Sequence, residues 1–262
     1  MNAELKRVGA PTLFYQAEGS GPPVVLIHGV GADGASWDEI TPILAPRLRV
    51  IRLDLRGHGR SGHIDAALTL DDFARDVLDV MAACGTVRAH IVGFSLGGMI
   101  AQALALDHRA QVDKLVLLSA VAGRTEQERS RVRERLEILR TQGIGAITGA
   151  AQDRWFTSGF IERHPESVRQ RMEQLKQNHP ASYAAAYTVF STSDLGDRLQ
   201  GITRPTLVAT GEHDVGSNTR MARFMHAEIA GSELRILPEL KHSVLVEAPK
   251  QIAAMLLDFL TP

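Results

Sequence analysis

Cysteine is nearly absent. Cys84 is the only one among 262 residues, which excludes an internal disulfide framework and suits a reducing compartment. It closes a helical pattern in "VMAACG", where a buried structural thiol is the expected role. An excess of either charge is missing too. Twenty-nine lysines and arginines stand against 30 aspartates and glutamates, so nothing favours nucleic acid or an anionic membrane as a partner. No apolar run approaches the ~18 residues that span a bilayer. The opening "MNAELKRVGAPTLFYQ" lacks the apolar stretch of a secretion signal, and no repeat or low-complexity tract interrupts the chain. The expectation is a soluble cytoplasmic protein.

What is present is a chain long enough for one large α/β domain with a full core. "PVVLIHG" (23–29), "RVIRLDLRG" (49–57), "AHIVGF" (89–94) and "KLVLLSA" (114–120) are near-continuous apolar runs. Such runs predict strands covered on both faces, as in a parallel sheet. Helical patterns over 70–84 and 96–108 alternate with them, which is the signature of a doubly wound sheet. The texture then changes. Between Arg124 and Arg198 no strand-like run occurs, and "RTEQERSRVRERLEILRTQG" and "SVRQRMEQLKQNHPASYAAAYTVF" read as helices, the second split at Pro180. Strand character returns in "PTLVATGEHD" (205–214) and "SELRILPELKH" (232–242), and a last helix starts at Pro249. This divides the chain into a core of residues 1–123 and 199–262 and a helical insertion, 124–198, expected to cap a pocket. The plainer alternative is a helical decoration without bearing on chemistry.

Gly93-Phe94-Ser95-Leu96-Gly97 fits the pattern G-x-S-x-G between a strand and a helix. A tight strand-to-helix turn forces backbones together, so the flanking positions must lack bulk, and the following helix points N–H groups at charge developing near Ser95. A serine hydroxyl needs a base, and the base needs an orienting carboxylate. Asp214 follows one late strand and His242 the next, in the chain order expected after such a serine. Both lie at carboxyl ends of strands, where open sheets place ligands. Glu212 is the competing acid, and His213 reads as a loop residue. The glycine-flanked turn His28-Gly29-Val30-Gly31 offers the N–H of Val30, to pair with that of Leu96 in an oxyanion hole. "DLRGHGRS" (54–61) carries His58 and Arg56 on a glycine-rich loop. It lacks a phosphate-binding pattern or a metal cluster, and is expected to be a hydrogen-bonded structural loop.

Together these residues resemble the α/β-hydrolase fold superfamily over essentially the whole chain. The HG-x-G turn at 28–31, D-x-R-G-x-G-x-S at 54–61, the turn at Ser95, G-x-x-D at 211–214 and His242 with "EAP" following carry the likeness. Serine at the turn argues against the branches that carry aspartate there. Within the superfamily, "VGFSLGGMIAQ", "WFTSGFIERHPE" and "YAAAYTVFSTSDLGDRL" are most similar to 3-oxoadipate enol-lactonases. Val215 stands where a proline often follows the acid, and Lys241 where a glycine commonly precedes the histidine. The resemblance implies an α/β-hydrolase fold with a mostly parallel, doubly wound sheet and a helical cap. It also implies a serine hydrolase, free of cofactor and metal, that cleaves a small carboxylic ester or lactone through an acyl-enzyme. A perhydrolase, a carbon–carbon bond hydrolase and a ligand-sensing receptor remain as alternatives. Arg124 or Arg154 would meet a substrate carboxylate, as an enol-lactone requires. Trp155 and Phe156 are the aromatics expected to line the pocket, the alternative being that they fill the core of the insertion.

Overall fold

The computed structural model describes residues 6–8 and 11–261. Eight strands form one sheet: β1 (Lys6–Val8), β2 (Leu13–Glu18), β3 (Pro23–Ile27), β4 (Arg49–Leu53), β5 (Ala89–Phe94), β6 (Val112–Leu118), β7 (Thr206–Gly211) and β8 (Glu233–Leu237). Their order is β1-β2-β4-β3-β5-β6-β7-β8. The first two pairings, β1 with β2 and β2 with β4, are antiparallel, and every other pairing is parallel.

The apolar runs sort by parity, because successive strand side chains point to opposite faces. Val25, Ile27, Ile51, Ile91, Leu115, Leu117 and Val208 join one buried cluster, while Val24, Leu26, Val50, Val92, Val116, Leu118 and Leu207 join the other. Helices cover both. On the first face lie α2 (Leu70–Ala83), α3 (Leu96–Asp107) and α9 (Thr219–Glu228), contributing Phe73, Ile100 and Met225. On the second lie α1 (Thr41–Leu44) and α11 (Pro249–Leu260), contributing Leu44 and Ile252. Each interior strand is therefore buried on both sides, which is why its sequence does not alternate.

Between β6 and β7 the chain forms α4 (Glu126–Gln142), α5 (Ile144–Trp155), α6 (Ser158–Arg163), α7 (Pro165–Lys176) and α8 (Pro180–Thr192). No strand occurs between residues 124 and 198. Thr125 and Glu128 close a capping box at the start of α4, and prolines occupy the first turns of α7 and α8. A short α10 (Val244–Glu247) precedes α11. No helix of the described residues is long and apolar enough to cross a membrane.

The β1–β2 hairpin is the element that the apolar runs do not announce. In "LFYQAE" the first three residues of β2 are buried and the last three only partly so. Such a strand, next to the sheet edge, needs no continuous apolar run.

Candidate active site

The carboxyl ends of β3, β5, β7 and β8 converge on one cavity. At the end of β5, Ser95 adopts φ 56°, ψ −115° immediately before α3. A non-glycine residue with positive φ here is a strained conformation, held because the surroundings fix it. The glycines around it explain how. A Cβ at Gly93 would lie 2.1 Å from Gly97 O, and one at Gly97 would lie 2.3 Å from Ile27 O. Both clashes are with backbone, so no side-chain motion relieves them. The Ser95 N–H donates to Leu118 O at 3.0 Å, pinning the turn to β6.

Leu96 opens α3, where the first N–H groups have no partner inside the helix. Facing it across the turn, a Cβ on Gly29 would come within 3.0 Å of Ser95 Cβ. The neighbouring Val30 lines the same cavity as Ser95. The turn is fixed from beneath by His28, which is fully buried. Its Nδ1 donates to Gly29 O at 2.8 Å and its Nε2 accepts from Leu55 N at 2.9 Å. Burial pushes the His28 pKa down to about 4, so the ring bridges two strands as a neutral imidazole.

His242 follows β8, and its Nδ1 lies 2.7 Å from Asp214 Oδ2. The other carboxylate oxygen accepts from Gly216 N at 2.8 Å and Ser217 N at 2.9 Å. Burial alone would raise the Asp214 pKa, but His242 and these two N–H groups outweigh it and hold the carboxyl below its usual value. Glu212 is exposed and accepts instead from Glu239 N at 3.1 Å. His213 is also exposed. The structure therefore brings Asp214, and not Glu212, to His242. Among the described residues no hydrogen bond joins Ser95 to His242, though both line the cavity. The Phe94 ring lies 5.0 Å from the imidazole and the Trp155 ring 6.4 Å from it.

The cavity measures about 870 Å³. Its far wall consists of single helix faces. Ile147, Ala151, Arg154 and Trp155 of α5, Ser167, Gln170, Arg171 and Gln174 of α7, and Tyr183, Tyr187 and Phe190 of α8 line it. Their three- and four-residue spacing puts each set on one side of its helix. An arrangement of this kind holds a small molecule between a hydroxyl, a fixed imidazole and an apolar wall carrying a few cations.

Two expected pocket residues lie elsewhere. Phe156 is fully buried in a cluster with Phe160, Val168 and Met172 and is not on the cavity wall, because α5 ends one residue earlier and the chain turns inward. Arg124 is also off the wall. Its N–H donates to Asp194 Oδ2 at 2.9 Å and its guanidinium to Ser193 O at 3.1 Å, which ties together the two ends of the helical segment. Conversely, Arg135, Arg171 and Tyr183 line the cavity without having been singled out by motif. Only the helix-face periodicity of an otherwise polar stretch could have found them. Hydrogen bonds hold the 54–61 loop: Asp54 accepts from Gly34 N and Arg60 N, each at 2.8 Å, and Arg56 pairs with Asp76 at 2.6 Å, while the buried His58 Nε2 has no hydrogen-bond partner.

Comparison with known proteins agrees with this architecture. Residues 24–255 match the model of the alpha/beta hydrolase family. The chain is 28% identical to 3-oxoadipate enol-lactonase 2 of Acinetobacter baylyi over 229 residues, 87% of this chain and 85% of that one. It is 29% identical to a pimeloyl-acyl-carrier-protein methyl ester esterase of Vibrio vulnificus over 261 residues, 94% of this chain and 97% of that one. The enol-lactonase of Burkholderia xenovorans superposes with a TM-score of 0.92 at 28% identity, covering 99% of this chain and 100% of that one. The strained serine turn, the doubly wound sheet and the matched length lead to one conclusion: the chain belongs to the alpha/beta hydrolase family and resembles its enol-lactonases.

Proposed function

We propose that the chain is a serine hydrolase of small carboxylic esters or lactones that works with its own side chains and no cofactor. The observation that carries this reading is a strained Ser95 opening onto the same cavity as an imidazole held by a buried carboxylate. In the proposed reaction His242 Nε2 takes the Ser95 proton as Oγ attacks the carbonyl carbon. The tetrahedral oxyanion accepts from the N–H groups of Val30 and Leu96. Its collapse breaks the bond to the leaving oxygen, which receives the proton from His242. Water then gives its proton to His242, attacks the acyl carbon and frees the acid, returning the proton to Ser95. Asp214 keeps the imidazole in the required tautomer and stabilises the imidazolium. Helices α4 to α8, within the insertion 124–198, act as the lid, with Trp155 and Arg154 on the substrate side.

The similarity to two enol-lactonases and a methyl ester esterase supports an ester or lactone bond. The test is a panel of esters and lactones with mass spectrometry of the quenched enzyme. An acyl adduct on the peptide containing Ser95, absent from Ser95→Ala, is the expected result. Turnover without such an adduct, and without loss in Ser95→Ala, overturns the reading. Running the panel with added hydrogen peroxide and with a diketone separates hydrolysis from peracid formation and carbon–carbon cleavage. Tight stoichiometric binding with no turnover on any of them would favour a receptor.

A further inference from the structure

The turn that carries Val30 is held at its two ends by different parts of the chain. At the near end, Ala32 N donates to Gly29 O at 3.2 Å and closes a turn over residues 29–32. His28 Nδ1 donates to the same carbonyl at 2.8 Å. In a trans peptide the carbonyl and the N–H point in opposite directions. A Gly29 carbonyl held by two donors therefore turns the N–H of Val30 the other way. Among the described residues that N–H donates to no acceptor in the protein.

The far end of the turn meets the helical segment. Asn178, just past α7, has Nδ2 at 3.3 Å from Gly31 O, 3.1 Å from Gln174 O and 3.0 Å from Leu175 O. Three carbonyls around one atom are met by the amide nitrogen, which donates to them. The bonds to Gln174 and Leu175 suffice to cap the end of α7. The bond to Gly31 is one that capping does not need. One helical turn earlier, Gln174 Nε2 donates to Asp33 Oδ2 at 2.8 Å. The approach is close, for a Cβ on Gly31 would lie 2.6 Å from Tyr183 Cε2 and 2.8 Å from Leu175 Cδ1. Gly31 also has φ 70°, a conformation that glycine adopts freely. Beside it, Ser182 Oγ accepts from Ile64 N at 2.8 Å and donates to Ile64 O at 3.1 Å, which fixes the start of α8 to the core.

We propose that Asn178 and Gln174 are positioning residues for the oxyanion hole, holding the 29–33 turn so that the Val30 N–H meets the tetrahedral oxyanion in line. The inference rests on the proposed function, which places the oxyanion at Val30 and Leu96. It gives the helical segment a part in the chemistry that is separate from covering the substrate. Hydrogen bonds weaken steeply as they bend, so a turn that tilts loses transition-state stabilisation while the substrate still binds. Asn178 is not on the cavity wall, and its effect reaches the reaction only through the turn.

The experiment compares wild type with Asn178→Asp, which keeps the shape and removes the donor, and with Gln174→Met. With para-nitrophenyl acetate, Asn178→Asp should lower kcat by about tenfold and move KM by less than about twofold. That is smaller than the loss of about 10²–10³-fold that follows removal of a donor outright. The second readout is the affinity for 1,1,1-trifluoroheptan-2-one against that for heptan-2-one. Ser95 Oγ adds to the trifluoroketone carbonyl carbon, the carbonyl pair moves onto oxygen, and the serine proton passes to His242. The resulting oxyanion sits in the hole, whereas the plain ketone only fills the cavity. Both variants should weaken trifluoroketone binding by several-fold to about tenfold and leave heptan-2-one binding unchanged. A loss of stability alone would reduce the active fraction and leave the ratio of the two affinities as in wild type. An unchanged ratio in both variants would overturn the proposal. Amide exchange at Ala32, whose N–H closes the turn, reads the clamp without turnover. Faster exchange in Asn178→Asp is expected, and equal exchange counts against the clamp. If exchange quickens while wild type never forms an acyl-Ser95, the hydrolase reading fails and the clamp stands.

Discussion

The backbone N–H of Ser243 donates to the carbonyl of Trp155 at 2.9 Å, tying the residue after His242 to the last residue of α5. The residue before it is tied to the same helix end, for Lys241 Nζ donates to Asp153 O at 2.6 Å. The last carbonyls of a helix have no partner inside it and carry partial negative charge, so an ammonium and an N–H are natural complements. His242 is therefore bracketed by α5 on one side of the cavity and fixed by Asp214 on the other. Lys241→Met should lower kcat on an ester of the panel a few-fold while its KM moves less, and Lys241→Arg should restore kcat. A bond of this kind contributes about 1 kcal/mol. An unchanged kcat in Lys241→Met would show that the bracket does not position the imidazole.

Ser95 offers a separate test of strain. Its φ of 56° is uncommon for a residue with a Cβ. Ser95→Gly should be more stable than Ser95→Ala by about 1 kcal/mol in urea unfolding, because glycine adopts positive φ freely. Both variants should be inactive. Equal midpoints would mean that the turn is not strained.

Asp214→Asn should leave folding intact and reduce kcat by up to about 10⁴-fold, since an amide favours the wrong imidazole tautomer. Glu212→Gln should change kcat little, as Glu212 meets only the N–H of Glu239 among the described residues. Steady-state kinetics of the two variants decides, and the reverse ranking would exclude Asp214 as the orienting acid.

Two buried histidines weaken the fold in acid. Burial lowers His28 to about 4 and, with His28 nearby, His58 to about 3. In the unfolded chain both regain the usual value near 6.5. Above that pH both states are neutral and the histidines cost nothing. Below it the unfolded chain binds protons that the folded protein refuses, so stability falls as pH drops from about 6.5 towards 4 and 3. The slope should approach 1.4 kcal/mol per pH unit for each histidine. Urea midpoints between pH 7 and pH 5 should therefore decline in the wild type and decline less in His58→Leu. Parallel curves would show that His58 does not titrate on unfolding.

The sheet and the Ser95 turn were legible in the sequence because their constraints are local. An interior parallel strand must be apolar on both faces, and the clash between Gly93 and Gly97 O admits no side chain. The pairing of Asp214 with His242 was legible from strand ends and chain order. The cavity wall was harder to read, because a helix face records which side is turned inward but not what it faces. Trp155 and Phe156 are adjacent and equally apolar, yet one lines the cavity and the other packs against Phe160, since α5 ends between them. Arg135 and Arg171 sit in strongly charged stretches, where their lack of a carboxylate partner is a fact of three dimensions. The β1–β2 hairpin escaped because half-exposed strands near an edge leave little periodic trace.

The two bonds from α5 to the residues flanking His242 also bear on how such proteins diversify by recombination. If the helical segment were a free-standing module, it could be exchanged between relatives at breakpoints near 124 and 198 with the sheet unaffected. Here an exchanged helical segment must also present acceptors at the height of Lys241 and Ser243, so residues 153–155 and 241–243 should be exchanged together. Chimeras joined between them should express folded protein with a misplaced imidazole, and co-transplanting both triplets should restore turnover.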